Sequence, residues 1–327
     1  MAALVARWTD GSRPGRTVLE NLSSLATDNL LLLAVPLFLI SMAFEATWSL
    51  RRRLGLYETQ DTLSSLAMGA LAMLVEIVPK AVAFLALDIL HDLSPLRNVV
   101  ERRWWAWALL IVLDDLTYYT FHRANHSIRL LWAGHVPHHS SLYLNLGTAL
   151  RQGVGERLHK FVFWLPLPLL GFDPVMIFTV MALSLLYQFF IHTQAITRLP
   201  RPVEWLFNTP SHHRVHHAAN AIYLDRNHGG VFIVWDRLFG TFVSEQQHEP
   251  PRFGLTRNPR SRAPLSIATH EYQAIIRDLA GCGSLREKLY CIFGPPDQGR
   301  RGTCLVKIPG AAAGRLGSGP RSRAGQA

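Results

Sequence analysis

Cysteine is scarce in this chain, and charged residues are fewer than in most soluble proteins. The 327 residues include three cysteines, none of them in a Cys-x-x-Cys motif, which excludes a disulfide framework and a thiolate metal site. Charged residues make up 17% of the chain and hydrophobic residues 49%. This balance excludes a disordered or fibrous protein.

Acidic residues are outnumbered by basic ones, 23 to 33, which gives a formal net charge of +10. Six of the basic residues lie in the segment 297–327, which contains a single acid, Asp297. The remaining excess is spread over loops beside apolar stretches, a pattern typical of positive-inside membrane topology. We therefore expect a membrane with anionic lipid as the partner, and no nucleic acid.

Four long apolar stretches are present, at 29–48, 63–90, 104–121 and 161–191. A transmembrane helix takes about 20 such residues. In the second stretch Glu76, Pro79 and Lys80 interrupt the pattern, which leaves one kinked span and a tight helical pair both open. A break at 171–174 in the fourth stretch favours a re-entrant or hairpin pair.

These stretches predict an all-α integral membrane protein with about four to five membrane-embedded helical segments and a cytosolic, histidine-rich helical cap. A soluble protein with buried helices is disfavoured, because four such stretches are hard to bury in a domain of this size. The arginine run at 51–53 directly follows the first stretch. It predicts a cytoplasmic loop there and an N-terminus on the outside.

Histidine is the residue that this chain has in excess. Ten of its 15 histidines lie within 122–139 and 212–228. They form three patterns, which are His122-x-x-x-His126, His135-x-x-His138-His139 and His213-x-x-His216-His217. Positions three and four apart share one face of a helix, so each pattern is expected to converge on a point.

The patterned histidines predict two metal ions in a nitrogen-rich site. Their number exceeds the three or four protein ligands of one tetrahedral zinc ion, and imidazole also suits iron and copper. None of the patterned histidines stands three residues after a glutamate, so none belongs to a Glu-x-x-His motif. This absence excludes the four-helix di-iron carboxylate pattern, and the His-Glu-x-x-His pattern of zinc proteases is also missing.

On a membrane scaffold, these patterns resemble the fatty acid hydroxylase and sterol desaturase superfamily over about residues 110–243. The strings WAGHVPHHSSLYLNLGTALRQ from Trp132, NTPSHHRVHH from Asn208 and VWDRLFGTF from Val234 look closest to its alkylglycerol monooxygenase branch. The resemblance implies an integral membrane di-iron oxygenase that acts on a lipid C–H bond with O2 and an electron donor. In the alkylglycerol branch that donor is tetrahydrobiopterin.

The resemblance also implies nine metal ligands. They are His122, His126, His135, His138, His139, His192, His213, His216 and His217. Of these, His192 ends an apolar segment at the membrane face where His122 begins, and this position agrees with such a role. For His212 a ligand role and a hydrogen bond to a neighbouring group are both open.

Other polar residues are candidates for further ligands or for hydrogen-bond partners of the ligands. Asp115 lies seven residues before His122 and near the same helical face; Asp114 is its alternative, and pairing with Arg123 is a purely structural one. Candidates from the linking segments are Asn145, Arg151, Gln152, Glu156 and Asp225. His228 is expected either to approach the metals or simply to be solvated.

Four regions are expected along the chain. An N-terminal arm with the first membrane spans occupies 1–109, and a fatty acid hydroxylase catalytic domain with the histidine boxes occupies 110–243. A C-terminal cap segment covers 244–296, and a flexible basic tail covers 297–327.

The predicted activity is O2-dependent hydroxylation of a sterol, fatty acyl or ether lipid at two iron ions. A sterol or fatty acyl desaturase with the same metals is the alternative within this class. A divalent-metal transporter is disfavoured because the histidines lie at the ends of spans and in loops rather than in mid-membrane. A membrane-bound zinc hydrolase is a third option.

The sequence contains no flavin, dinucleotide or haem motif. We therefore expect an external electron donor, either tetrahydrobiopterin or a redox protein of the ferredoxin or cytochrome type. Arg outnumbers Lys by 29 to 4, which is compatible with a GC-rich bacterial genome. The expected location is a bacterial inner membrane, or the endoplasmic reticulum of a eukaryote, with the histidine face cytosolic.

Overall fold

The structure is a computed structural model that describes residues 30–259 and 261–296. Within these ranges the chain is helical, with isolated β-bridges but no strand, and the predicted all-α class is confirmed there. The α-helices are α1 (Leu30–Arg52), α2 (Thr59–Leu93), α3 (Arg97–Val100), α4 (Trp104–Ser127), α5 (Arg129–His135), α6 (Glu156–His159), α7 (Pro166–Leu169), α8 (Pro174–Ile191), α9 (Arg201–Leu206), α10 (Pro210–His216), α11 (Val234–Leu238), α12 (Pro264–Ala280) and α13 (Leu285–Phe293). The predicted arm at 1–26 and tail at 297–327 lie outside the described residues.

Two helices of the described ranges, α2 and α8, are long and apolar enough to cross a membrane. Helix α2 has 35 residues, which corresponds to about 52 Å at 1.5 Å per residue. It runs without interruption through Pro79, so the second apolar stretch forms one helix and not a helical pair. Its side chains Leu74 and Val78 are 69% and 70% exposed, as expected for a surface that faces lipid.

The fourth apolar stretch is divided at the predicted break. Its first half forms a 3-10 helix, Lys160–Trp164, followed by the single turn of α7. Its second half is α8, which begins with Pro174 after the N-cap Asp173. The carboxylate of Asp173 accepts a hydrogen bond from the backbone N–H of Val175 at 2.7 Å, and proline at the first helical position gives up no hydrogen bond.

Helices α4 and α8 pack around an apolar core and bring histidines to one end of the pair. Buried members of this core include Leu110, Phe121, Trp164 and Ile177. Helix α4 carries His122 and His126 in its last two turns, and α8 ends at Ile191, one residue before His192. The packing of these two helices therefore positions the histidines at a common level.

A buried ion-pair cluster attaches the C-terminal helices to α5. The guanidinium of Arg129, only 1% exposed, donates to Glu271 at 2.9 Å and to Asp278 at 2.6 Å, both on α12. It also donates to Cys291 of α13 at 3.3 Å. Removing a partner from a buried ion pair is strongly unfavourable, so this cluster fixes how α12 and α13 lie against α5.

Candidate metal centre

Nine buried histidines of the described chain form two groups, and in each group the candidate ligand atoms lie within 4.8 Å of one another. The first group comprises His122, His126, His135, His139 and His216. The second comprises His138, His192, His213 and His217. These are the nine residues to which the resemblance assigns metal-ligand roles.

The two His-x-x-His-His patterns do not converge on single points, contrary to the expectation from their spacing. In each pattern the first and last histidines, four residues apart, belong to one group, and the middle histidine belongs to the other. Residues four apart on a helix point in nearly the same direction, whereas adjacent residues point about 100° apart. Each pattern therefore contributes to both groups.

Ring nitrogens face each other within both groups at distances that fit a shared metal ion. In the first group His135 Nε2 lies 3.1 Å from both His122 Nε2 and His139 Nε2. In the second group His192 Nε2 lies 2.9 Å from His213 Nε2 and 3.1 Å from His138 Nε2. Two nitrogens that each lie about 2.1 Å from one metal ion are about 3.0 Å apart when they are neighbouring ligands.

Unpartnered ring nitrogens and lowered imidazole pKa values also fit the binding of metal ions at these two groups. The Nε2 atoms of His126 and His216 are buried without a hydrogen-bond partner in the described chain, a costly arrangement that a metal ion relieves. Burial, followed by the neighbouring imidazoles, lowers the pKa of His139 and His217 well below the usual value. The neutral imidazole is the form that binds a metal ion.

Hydrogen bonds from the opposite ring nitrogen orient the ligands. His135 Nδ1 donates to Glu156 at 2.9 Å, and His126 Nδ1 donates to Asp225 at 3.1 Å. Four other imidazoles lie with Nδ1 within 3.2 Å of a backbone carbonyl; the pairs are His122 with His228, His138 with Arg151, His192 with Gln188, and His216 with Arg226. Such partners fix the tautomer that leaves Nε2 for the metal.

Glycines allow Glu156 to approach His135. A Cβ on Gly134 would lie 2.6 Å from the backbone nitrogen of Glu156, and one on Gly153 would lie 1.7 Å from the carbonyl oxygen of Gly134. Side chains at these positions would separate the segments that carry the histidine and the carboxylate.

Four other predicted site residues make their hydrogen bonds to groups outside the nine histidines. Asp115 accepts from the backbone N–H groups of residues 231 and 232 and from Trp235, and Asp114 accepts from Trp164. Asn145 donates to the carbonyl of residue 56 at 2.6 Å. His212 lies with Nε2 3.1 Å from Glu204. In the described chain, these four residues are not in either histidine group.

A cavity of about 540 Å³ leads to both histidine groups. Its apolar wall comes mainly from α1, α2 and α8 and includes Phe38, Leu66, Met73, Leu150 and Phe189. Five histidines line it, namely His122, His135, His138, His192 and His213. Sequence reasoning missed Lys160 in this wall, an 8% exposed lysine whose ammonium lies 5.6 Å from the ring centres of Phe121 and Trp164.

A second, smaller opening also reaches the two histidine groups, and it is lined by the four histidines that do not line the first cavity. This cleft, about 80 Å³ in volume, is lined by His126, His139, His216 and His217. Trp132 and Asp225 also line it, and the Trp132 ring lies 5.0 Å from that of His126. No histidine lines both openings, so the two openings contact different members of the histidine groups.

Residues 107–241 match the fatty acid hydroxylase family model. The chain belongs to this family. It is 35% identical over 269 residues to alkylglycerol monooxygenase of Homo sapiens, a match that covers 81% of the chain and 59% of the relative. The corresponding protein of Danio rerio is 42% identical over 200 residues, 60% of the chain and 43% of the relative.

A bacterial lipid hydroxylase is also similar. Ornithine lipid hydroxylase of Rhizobium tropici is 28% identical over 229 residues, which cover 67% of the chain and 65% of the relative. No solved structure matches significantly. The predicted superfamily and its alkylglycerol monooxygenase branch are thus confirmed, although the chain spans only about half of the alkylglycerol monooxygenases it matches. Family and histidine groups together are consistent with iron binding.

Replacing Glu156 by glutamine is expected to weaken metal binding about 10- to 100-fold. The amide keeps the size of the side chain but replaces the charged acceptor of His135 Nδ1–H with a neutral one. Chelator competition on the purified chain measures the affinity. Glu101→Gln, at an exposed carboxylate paired with Arg103, is the control; equal affinities for both variants and the parent would contradict the orienting role of Glu156.

Proposed function

We propose that this chain is a membrane-bound, di-iron, O2-dependent lipid hydroxylase. The observation that carries the proposal is the joining of two nitrogen-rich metal positions to an apolar cavity among the candidate membrane helices. Pockets of this kind, apolar with few polar groups, bind hydrophobic molecules. The names of the relatives, monooxygenase and lipid hydroxylase, support the same class.

The two irons, when bound, supply the activation of O2 that amino-acid side chains cannot provide. Nine imidazoles of the two groups would hold them, with Glu156 and Asp225 keeping two rings in place. The cavity wall aligns an aliphatic chain beside the histidines and keeps water from the reacting carbon. Gln152, Lys160 and Gln188 also line this cavity and provide polar contacts for the head of a lipid.

An ether lipid of the alkylglycerol type is the substrate class that the relatives favour. Hydroxylation of the carbon beside the ether oxygen consumes one O2, two electrons and two protons, and yields a hemiacetal and one water. The hemiacetal then breaks into an aldehyde and a free hydroxyl group without further oxidant. The mainly apolar lining of the cavity suits an alkyl chain with a small polar head.

The electron donor is proposed to approach through the cleft beside Trp132, whose lining histidines differ from those of the lipid cavity. The Trp132 ring lies 5.0 Å from that of His126 and 5.6 Å from that of His139, so an aromatic contact joins the cleft to the metal ligands. A tetrahydrobiopterin or a redox protein of the ferredoxin or cytochrome type would reach the centre from this side. The lipid then need not leave for reduction to occur.

The membrane arrangement is proposed to comprise four to five embedded segments, with the histidine cap in the cytosol. The apolar exposed faces of α1 and α2 support lipid contact of these two helices, since Phe44 and Leu74 are 75% and 69% exposed. The arginines that end α1 support a cytosolic loop at 51–53. The proposed location is a bacterial inner membrane, or the endoplasmic reticulum if the source is eukaryotic.

The test is an 18O2 incorporation assay on iron-loaded membranes, followed by mass spectrometry of ether, acyl and sterol lipids. We expect one labelled oxygen in the aldehyde or hydroxylated product of an ether lipid, dependent on O2 and absent in His138→Ala. Loss of two hydrogens without label would replace the proposal by a desaturase. No O2-dependent change in any lipid class would overturn it.

A further inference from the structure

His228 is a buried histidine that the two groups leave out. It is 1% exposed, and neither ring nitrogen has a hydrogen-bond partner in the described chain. The nearest carboxylate oxygen, of Asp236, is 3.8 Å from Nδ1, which is beyond hydrogen-bond distance. A polar ring buried in this way is costly unless another group satisfies it.

The His228 ring lies against the first histidine group. Its centre is 5.0 Å from the ring of His126, 5.7 Å from that of His122 and 5.8 Å from that of His216. Rings within the group are separated by similar distances, such as 5.3 Å between His122 and His126 and 4.9 Å between His126 and His216. His126 and His216 are also the members of this group with unpartnered Nε2 atoms.

Hydrogen bonds to neighbouring segments hold the loop that carries His228, and they determine where its ring lies. The His228 N–H donates to Asp236 at 2.8 Å, and its carbonyl lies 2.9 Å from His122 Nδ1. The preceding Asn227 has a positive φ of 56° and donates to the carbonyl of residue 243 at 2.7 Å. These contacts hold the backbone in a conformation that places the imidazole beside the first group.

We infer that His228 is a tenth imidazole ligand, bound through Nε2 to the metal held by the first group; this inference rests on the proposed function. Nδ1 lies on the side of Asp236, which leaves Nε2 for the metal. The first position then has six nitrogen donors and the second has four. The two metals are therefore inequivalent, and the second position is the one with room for exogenous ligands.

The lipid cavity agrees with this asymmetry. Three of the four histidines of the second group line it, namely His138, His192 and His213, but only two of the five in the first group do. The more open position is thus the one that faces the lipid. His228 itself is not among the residues that line this cavity.

The test measures metal binding in the purified full chain, loaded anaerobically with Fe2+ or Co2+. In His228→Ala we expect one of the two metal ions to bind at least tenfold more weakly and the other to bind as in the parent. The visible bands of the Co2+ form should intensify, because Co2+ absorbs more strongly when its coordination number falls. His159→Ala is the control, since its Nε2 lies 3.0 Å from Asn125 Oδ1.

Two results would overturn the inference. One is a His228→Ala protein that binds both ions with parental affinity and an unchanged Co2+ spectrum. The other is loss of both ions together with a lowered melting temperature, in His228→Ala and also in the more conservative His228→Asn, which would make the role structural. A parent chain that binds fewer than two ions would instead refute the proposed di-iron centre itself.

Discussion

Alanine in place of His135 is expected to reduce the bound iron from two ions to about one ion per chain and to lower hydroxylation at least about 100-fold. His135 lies at the middle of the first group, where its Nε2 is 3.1 Å from the Nε2 atoms of both His122 and His139. Its removal leaves the carboxylate of Glu156 without the N–H that it accepts at 2.9 Å. The substitution therefore removes a metal ligand together with the hydrogen bond that orients it.

Iron analysis and product formation, measured on the same preparation, check this expectation. His248→Ala is the matched control, because His248 is exposed and outside both histidine groups. His213→Ala should empty the second position in the same way, since His213 Nε2 lies 2.9 Å from His192 Nε2. If His135→Ala retained parental iron and activity, the assignment of the first group as a metal position would be wrong.

The histidine spacing and the family resemblance together predict the nine histidines that lie together, but not how these divide into two groups. Spacing of three and four residues puts His135, His138 and His139 on one side of a helix, and this much the pattern predicts. The division between two groups depends on the angular offset of adjacent positions, about 100°, and on where α4 and α8 place their own histidines. His192 is brought to the second group by the end of α8, a fact of tertiary packing.

The position of the acidic candidate Asp115 also depends on tertiary packing, which helical spacing does not describe. The sequence places Asp115 among the candidate partners of the ligands, because it lies near the same helical face as His122 seven residues later. It instead accepts hydrogen bonds from the backbone at residues 231 and 232 at 2.6 and 3.0 Å, because the loop after His228 crosses α4 at that level. Helical periodicity predicts the direction of a side chain and cannot predict which loop lies there.

The backbone carbonyls that orient the ligand imidazoles could not be predicted from the sequence. The carbonyls of Arg151, Gln188 and Arg226 orient ligand imidazoles, although carbonyl oxygens are common to every residue type. Hydropathy predicted the apolar stretches and the break before Pro174 well, because helix length and proline position depend on local sequence. It left open whether 63–90 forms one helix, which tertiary packing decides.

Filling the lipid cavity is expected to lower kcat/KM for a long-chain lipid by about 10- to 100-fold while both metal ions remain bound. Ala70 lies in the cavity wall on α2, where tryptophan would occupy space that the alkyl chain needs. An overpacked site costs about 1–3 kcal/mol, which corresponds to that loss in binding. Because Ala70 is exposed and distant in sequence from every histidine of the two groups, iron content should not change.

Ala67→Trp is the matched control, since Ala67 lies on the same helix, is exposed and does not line the cavity. Rates with substrates of graded chain length, together with iron content, give the measurement. Ala70→Trp should impair long chains more than short ones, because a short chain can bind without reaching the new ring. Equal rates for the two tryptophan variants on a long-chain lipid would show that the substrate does not use this cavity, even if the metal centre hydroxylates lipids as proposed.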